Sequence, residues 1–288
     1  MQPPLLPGYE LLRPLGGGKS FLVWAARDDN DNPVAVKVPR DAALDRASTL
    51  VLLRREVRAG QLVRHPKLVR VIDSRLDDEP FHVVMEYVPG ETAKERLRRF
   101  GRFSPRRAIW MARQVAEALA AIHAAGLVHA DVKPGNIVVR ESGEAKLIDL
   151  GFAHRPGENR RLIESGFTIG TANYLAPELC ILPVRESPAA DIFALGATLF
   201  ECLTGTVPYP ADTVEEAFQQ RKRRRPLDLA DYRGAWPERT VDTVRAMLAR
   251  VPEERPTSAN AARELITIEA ELVALRKDRP RLGRRLAG

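Results

Sequence analysis

The sequence predicts an α+β fold of two lobes: a small antiparallel β-sheet lobe with one helix, then a larger, mainly helical lobe. Three observations predict it. Before Pro89, short runs rich in β-branched residues, such as Val34-Ala35-Val36-Lys37-Val38, are separated by glycine and polar turns, the pattern of strands and hairpins. One stretch there, Ser48 to Val63, instead carries Leu50, Leu53 and Val57 at helical spacing. From Ser104 onward helical patterns take over, and 288 residues suffice for one large domain or two lobes.

The elements follow in order. Tyr9 to Leu12 leads into Leu15-Gly16-Gly17-Gly18-Lys19-Ser20-Phe21-Leu22-Val23, where glycines between two apolar runs predict a hairpin whose backbone can approach a ligand closely. Asp28 to Pro33 is turn material, and the next strand holds one charge, Lys37. Such a lysine lies on a solvated strand face or, if buried, needs an anionic partner. Glu56 is the only acid in the Ser48–Val63 helix and lies beside its apolar stripe. His65-Pro66 breaks that helix, with His65 as a turn residue. Val69 to Ile72 and Phe81 to Met85 read as further strands. In the second lobe, Ser104-Pro105 reads as an N-cap with proline at the first helical position. Ile109, Ala112, Ala116 and Leu119 then make one apolar face, and Gly126 closes the helix. Ser187-Pro188 caps another helix, Ala189 to Leu203, apolar nearly all round and so buried. Val241, Val244 and Leu248 mark a later helix.

Composition excludes several classes. Apolar and charged fractions of 44% and 29% are those of a soluble globular protein, and no apolar run is long enough to span a bilayer. Met1-Gln2-Pro3-Pro4 lacks the features of a signal peptide. Two cysteines, Cys180 and Cys202, make no disulfide framework, so a reducing cytoplasm is expected. The net charge of +7 would suit an acidic partner, nucleic acid or a membrane surface, but arginine is spread through the whole chain. With no interleaved basic and aromatic stripe, nucleic acid is not an expected partner.

One stretch concentrates the chemistry. His129-Ala130-Asp131-Val132-Lys133-Pro134-Gly135-Asn136 puts a carboxylate, an ammonium and a carboxamide into one short loop, and Asp149 follows. Mg²⁺ takes hard oxygen ligands from one or two side chains and leaves the rest to water and phosphate. Asn136 and Asp149 supply such oxygens, and Lys133 would neutralise charge on a transferring phosphoryl group. Asp131 is left to orient a hydroxyl nucleophile and accept its proton.

This stretch resembles the catalytic loop of protein kinases, His-Arg-Asp with an Asn five positions after the Asp. Asp149-Leu150-Gly151 resembles the Asp-Phe-Gly metal motif with Leu for Phe, and Ala130 stands where the family usually has Arg. Lys133, two residues after Asp131, is the serine/threonine-kinase form of the loop, and the whole looks most like the bacterial-type subfamily. The resemblance spans residues 9 to about 268: an N-lobe over 9–85, a hinge over 86–91 and a C-lobe over 92–268, with a basic tail at 276–288 expected to fray.

The resemblance implies ATP and Mg²⁺, with Mn²⁺ as a substitute ion, and protein substrates. Leu15, Gly16 and Gly18 belong to the glycine-rich loop over the phosphates, with Phe21 in place of its third glycine. Val23, Ala26, Ala35 and Met85 would surround the adenine, whose edge would bond the backbone near Glu86 and Val88. Lys37 would hold the α- and β-phosphates and pair with Glu56. Asp131 and Lys133 would act at the transferred group, Thr171 would bridge them, and Asn136 and Asp149 would ligate the metal. Asp191 would hold the loop's backbone, while His123 packs at a helix end. Asp149 to Glu178 would be the activation segment, with Ser165 and Thr168 as candidate phosphorylation sites and Glu178 paired with Arg255. In most family members the arginine missing at Ala130 binds a phosphorylated residue of that segment, so a kinase independent of such phosphorylation is expected. Phe21, Ala130 and Leu150 also admit a pseudokinase acting as a nucleotide-binding scaffold. A small-molecule kinase of related fold would lack a segment like Gly170 to Glu178.

Overall fold

A computed structural model describes residues 4–18, 20–40, 46–159, 170–181, 186–211, 213–234 and 236–277. Five antiparallel strands, β1 (Tyr9–Gly17), β2 (Phe21–Asp28), β3 (Pro33–Pro39), β4 (Val71–Arg75) and β5 (His82–Glu86), form one sheet in the order β1-β2-β3-β5-β4. Side chains alternate across a strand, so Val34, Val36 and Val38 enter an outer core with Trp24 and Val84. Ala35 and Met85 enter an inner core with Phe21, Leu53 and Val83. Helix α1 (Arg46–Leu62) packs on β4 and β5.

The second lobe contains α2 (Ala93–Phe100), α3 (Pro105–Ala124), α4 (Pro188–Thr204), α5 (Val214–Arg223), α6 (Glu238–Met247) and α7 (Ser258–Lys277). A small sheet, β6 (Glu91–Thr92), β7 (Ile137–Val139) and β8 (Ala145–Leu147), pairs the strand before α2 with the two strands that follow the His129–Asn136 loop, so β7 takes the chain directly out of that loop. Helix α3 packs against both α4 and α7, and Ile109, Ala112, Ala116 and Leu119 are all fully buried there. Cys180 and Cys202 are both free and buried.

Several elements differ from the sequence reading. The strand expected at Val69 starts at Val71, because Val69 donates its N–H to the Leu147 carbonyl at 2.9 Å and Leu147 donates to Lys67 at 2.9 Å. That segment is drawn to β8 instead of the main sheet. Ser104 and Ser187 occupy N-cap positions without a side-chain capping bond. Proline at the first helical position leaves one fewer unpaired N–H in that turn, although the second and third N–H groups, which a cap hydroxyl would bond, remain. Helix α2 was not expected, although Thr92 and Glu95 form a capping box in which Thr92 N–H donates to the Glu95 carboxylate at 2.7 Å. Helix α7 continues to Lys277, past residue 268.

The β1–β2 hairpin imposes one steric requirement. Gly17 has a φ of +154°, and a Cβ there would lie 2.4 Å from the Phe21 carbonyl oxygen. Gly17→Ala is therefore expected to destabilise the protein by about 1–3 kcal/mol, as strained backbone positions do. The measurement is the denaturant midpoint, and an unchanged midpoint would show that the hairpin opens at no cost.

Candidate active site

Strand β3 turns Lys37 to the same face as Ala35, towards the second lobe. Its Nζ lies 2.7 Å from Asp149 Oδ1 and 2.9 Å from Glu56 Oε2. Lys37 donates a hydrogen bond to Asp149 and forms an ion pair with Glu56. Burial works against the Lys37 charge, but Asp149 and then Glu56 outweigh it and raise its pKa. Burial alone would raise Asp149, yet Lys37 brings it down to about 2. Glu56, fully buried, is pushed up by desolvation. The fixed ammonium and the two carboxylates come from β3, α1 and the stretch after β8, a juxtaposition only the fold produces.

The loop before β7 is built on Asp191, at the start of α4. Its two oxygens accept the His129 N–H at 2.7 Å and the Ala130 N–H at 2.8 Å. His123 Nε2 approaches Asp191 at 2.9 Å and its Nδ1 meets Ser258 Oγ at 3.0 Å, so this histidine steadies the anchor and does not simply pack. Ala130 and Asp149 have φ of +64° and +67°, left-handed conformations that non-glycine residues seldom hold without surrounding constraint. A Cβ at Gly170 would lie 2.7 Å from the Ala130 carbonyl oxygen, which ties glycine at 170 to that bend.

Asp131 is the centre of the loop. Its Oδ1 accepts from Thr171 Oγ1 at 2.7 Å, and its Oδ2 accepts from Lys133 Nζ at 2.6 Å and Asn136 Nδ2 at 2.9 Å. Lys133 also donates to Thr171 Oγ1 at 2.8 Å. With its amide NH₂ on Asp131, Asn136 turns its oxygen elsewhere. Asp149 has a side chain 33% exposed, so it keeps an accessible face despite Lys37. One carboxylate and one carboxamide oxygen make a hard donor pair that fits Mg²⁺. Leu150 is fully buried in the helical core, so apolar bulk at this position anchors the turn without a ring.

The predicted adenine contacts separate. Leu15, Val23, Ala35, Met85 and Val88 all join the inner core facing the second lobe. Ala26 does not: it lies in the outer core with Trp24 and Val34. It is three residues from Val23 in one strand, and alternation puts it on the opposite face. Ile148 completes the inner cluster and was not anticipated, although it immediately precedes Asp149. Glu86 donates its N–H to the Arg70 carbonyl at 2.9 Å, and its Oε1 accepts from the Arg70 N–H at 2.9 Å and from Lys146 Nζ at 2.5 Å, which ties the end of β5 to β8. Gly16 has open space around its missing Cβ, and so has Gly18, whose N–H is bonded to the Phe21 carbonyl at 3.1 Å. Phe21 is buried with its ring centroid 4.9 Å from Lys37 Nζ, a cation–π contact that leaves both carboxylate pairings intact. Glu178 and Arg255 form a bidentate pair at 2.6 and 2.7 Å. Arg155 is exposed, while Arg160, Arg161, Ser165 and Thr168 lie outside the described residues.

Comparison with known proteins places the chain in a family. Residues 9–266 match the family described as protein kinase domain. A serine/threonine-protein kinase of Corynebacterium efficiens is 33% identical over 279 residues, covering 94% of this chain and 47% of the relative. Serine/threonine-protein kinase PknD of Mycobacterium tuberculosis is 38% identical over 208 residues, 72% of this chain and 31% of its own length. Serine/threonine-protein kinase PrkC of Bacillus subtilis is 33% identical over 208 residues, 71% of this chain and 32% of that protein. The chain thus spans less than half the length of these relatives. Among the described residues no helix is long and apolar enough to cross a membrane.

Proposed function

The chain belongs to the protein kinase family, and on that premise we propose that it is an active serine/threonine kinase that transfers the γ-phosphoryl group of ATP to hydroxyls of protein substrates in the cytoplasm. The observation that carries this reading is the hydrogen-bonded set Asp131–Lys133–Asn136–Thr171, linked to the Lys37–Glu56–Asp149 cluster through the loop that leads to β7 and β8. We assign the kinase domain to residues 9–268, with its hinge at 86–91.

The inner cluster of Leu15, Val23, Ala35, Met85, Val88 and Ile148 offers an apolar slot for a purine. Lys37, fixed between two carboxylates, binds phosphate oxygens without having to be reordered. Asn136 and Asp149 would hold Mg²⁺, which when bound offsets phosphate charge. Asp131 orients the substrate hydroxyl and takes its proton as the hydroxyl oxygen attacks phosphorus. Lys133, already between Asp131 and Thr171, lends positive charge to the transferred group. Thr171 belongs to the segment that ends at Glu178, so it ties the substrate-facing chain to the base.

The Ala130 side chain carries neither charge nor donor, so the reading includes independence from activation-segment phosphorylation. The test is γ-phosphate transfer from ATP with Mg²⁺ by phosphatase-treated protein to itself, to a generic basic protein and to small hydroxylated metabolites. Transfer to serine or threonine of protein, without a lag, is the expected result. Nucleotide binding with no transfer would make the chain a scaffold, and transfer to the metabolites alone would change the substrate class. A lag abolished by prior phosphorylation would return the switch to a phosphate.

A further inference from the structure

Helix α1 carries Glu56, and it also carries Arg55 and Arg58, spaced to lie on neighbouring parts of one helical face. Both arginines grip the chain that follows Asp149. Arg58 Nη1 and Nη2 donate to Glu158 Oε1 at 3.0 Å and Oε2 at 2.7 Å, a bidentate pair. Arg55 Nη2 donates to Asn159 Oδ1 at 2.5 Å. Asn159 is fully buried and passes the contact on, its Nδ2 donating to Glu186 Oε1 at 3.1 Å. The same oxygen meets His154 Nε2 at 2.8 Å, and Glu186 Oε2 accepts the Gly157 N–H at 3.1 Å. His154, buried, pairs through its backbone with Val128 in both directions, at 2.9 and 3.1 Å. Val128 directly precedes the His129–Asn136 loop. A continuous set of bonds therefore runs from the helix that bears Glu56, through residues 154–159 and Glu186, to the loop that bears Asp131.

We propose that Arg55 and Arg58 are positioning residues for phosphoryl transfer: by holding Asn159 and Glu158 they keep α1, and with it Glu56, in place against Lys37. Glu158 is then a permanent anion that ties the segment after Asp149 to a cation, a task that an added phosphate would otherwise have. The inference rests on the reading of the chain as an active kinase. An isolated pair with side chains 41% and 29% exposed would contribute little. Here the pair is bidentate and adjoins a buried network, the two conditions under which such pairs matter. Glu56 itself is fully buried, and a helix that drifted would leave its carboxylate without the Lys37 charge.

The test uses phosphatase-treated protein. Arg58→Glu and Glu158→Arg are each expected to lower kcat about tenfold or more, a barrier change of about 1.4 kcal/mol, and to weaken ATP binding measured by titration. The double variant R58E/E158R should recover to within about threefold of the parent, because opposite charges again face each other. A residue needed only for folding would move Tm and not the kcat of the folded protein, so Tm is recorded throughout. Should a reversal fail to fold, Arg58→Gln and Glu158→Gln give the same comparison without repulsion. Single variants that are folded and have the parent's kcat and ATP affinity overturn the inference, and so does a double variant that recovers nothing. If the parent is active and the variants are indifferent, only this inference falls; a parent with no phosphotransfer removes the activity reading and this inference together.

Discussion

Asp131→Asn is expected to give a folded protein that has lost most of its phosphotransfer. The substitution keeps the side chain's shape and removes its charge and basicity. Its cost to structure should be small for a specific reason. At the Oδ2 position an NH₂ group would oppose two donors, Lys133 Nζ and Asn136 Nδ2, so the new amide must turn its oxygen that way. Its NH₂ then faces Thr171 Oγ1, a hydroxyl that can accept as well as donate. The network therefore survives, while no group remains to take the substrate proton. General bases typically supply about 10²–10⁴ in rate. Single-turnover transfer should fall within that range, with ATP affinity near that of the parent. Near-normal turnover would mean that Asp131 is not the base.

Arg255→Ala is expected to unfold the helical lobe more easily, with catalysis of the folded fraction little changed. All five N–H donors of Arg255 are engaged. Two go to Glu178 and the others to the carbonyls of Ala249, Ala189 and Arg250. Its side chain has 0% exposure, that of Glu178 has 9%, and the guanidinium lies 5.0 Å from the Phe193 ring centroid. Removing it leaves a buried carboxylate and several carbonyls without partners. Breaking one side of a buried pair costs about 3–5 kcal/mol. At roughly 2–4 °C per kcal/mol in a domain of this size, Tm should drop by about 6 °C or more. Arg255→Lys should recover little, because an ammonium cannot serve a fork of acceptors. A melting temperature unchanged by Arg255→Ala would show that other contacts carry that corner.

Much of the site was legible because its residue types stand at fixed short spacings. Asp131, Lys133 and Asn136 fall within six positions, and a loop of that length brings them together whatever else the chain does. Local periodicity also placed Lys37 in a strand and Glu56 beside an apolar stripe. Ala26 was misplaced even though strand alternation assigns it to the outer face.

By itself, the sequence determined two lobes, their order and the apolar faces of α3 and α4, which follow from patterns repeating every two to four residues, and the set of polar side chains gathered in the His129–Asn136 loop. Only the tertiary structure decided the rest. Val69 leaves the main sheet because Leu147 offers it a partner. Phe21 lies over Lys37, and Arg55 meets Asn159, a residue 104 positions away. The physical reason is range. Propensity and periodicity act within a turn or a strand, whereas which arginine meets which carboxylate depends on how two helices and a loop pack, and the local sequence of neither partner encodes it.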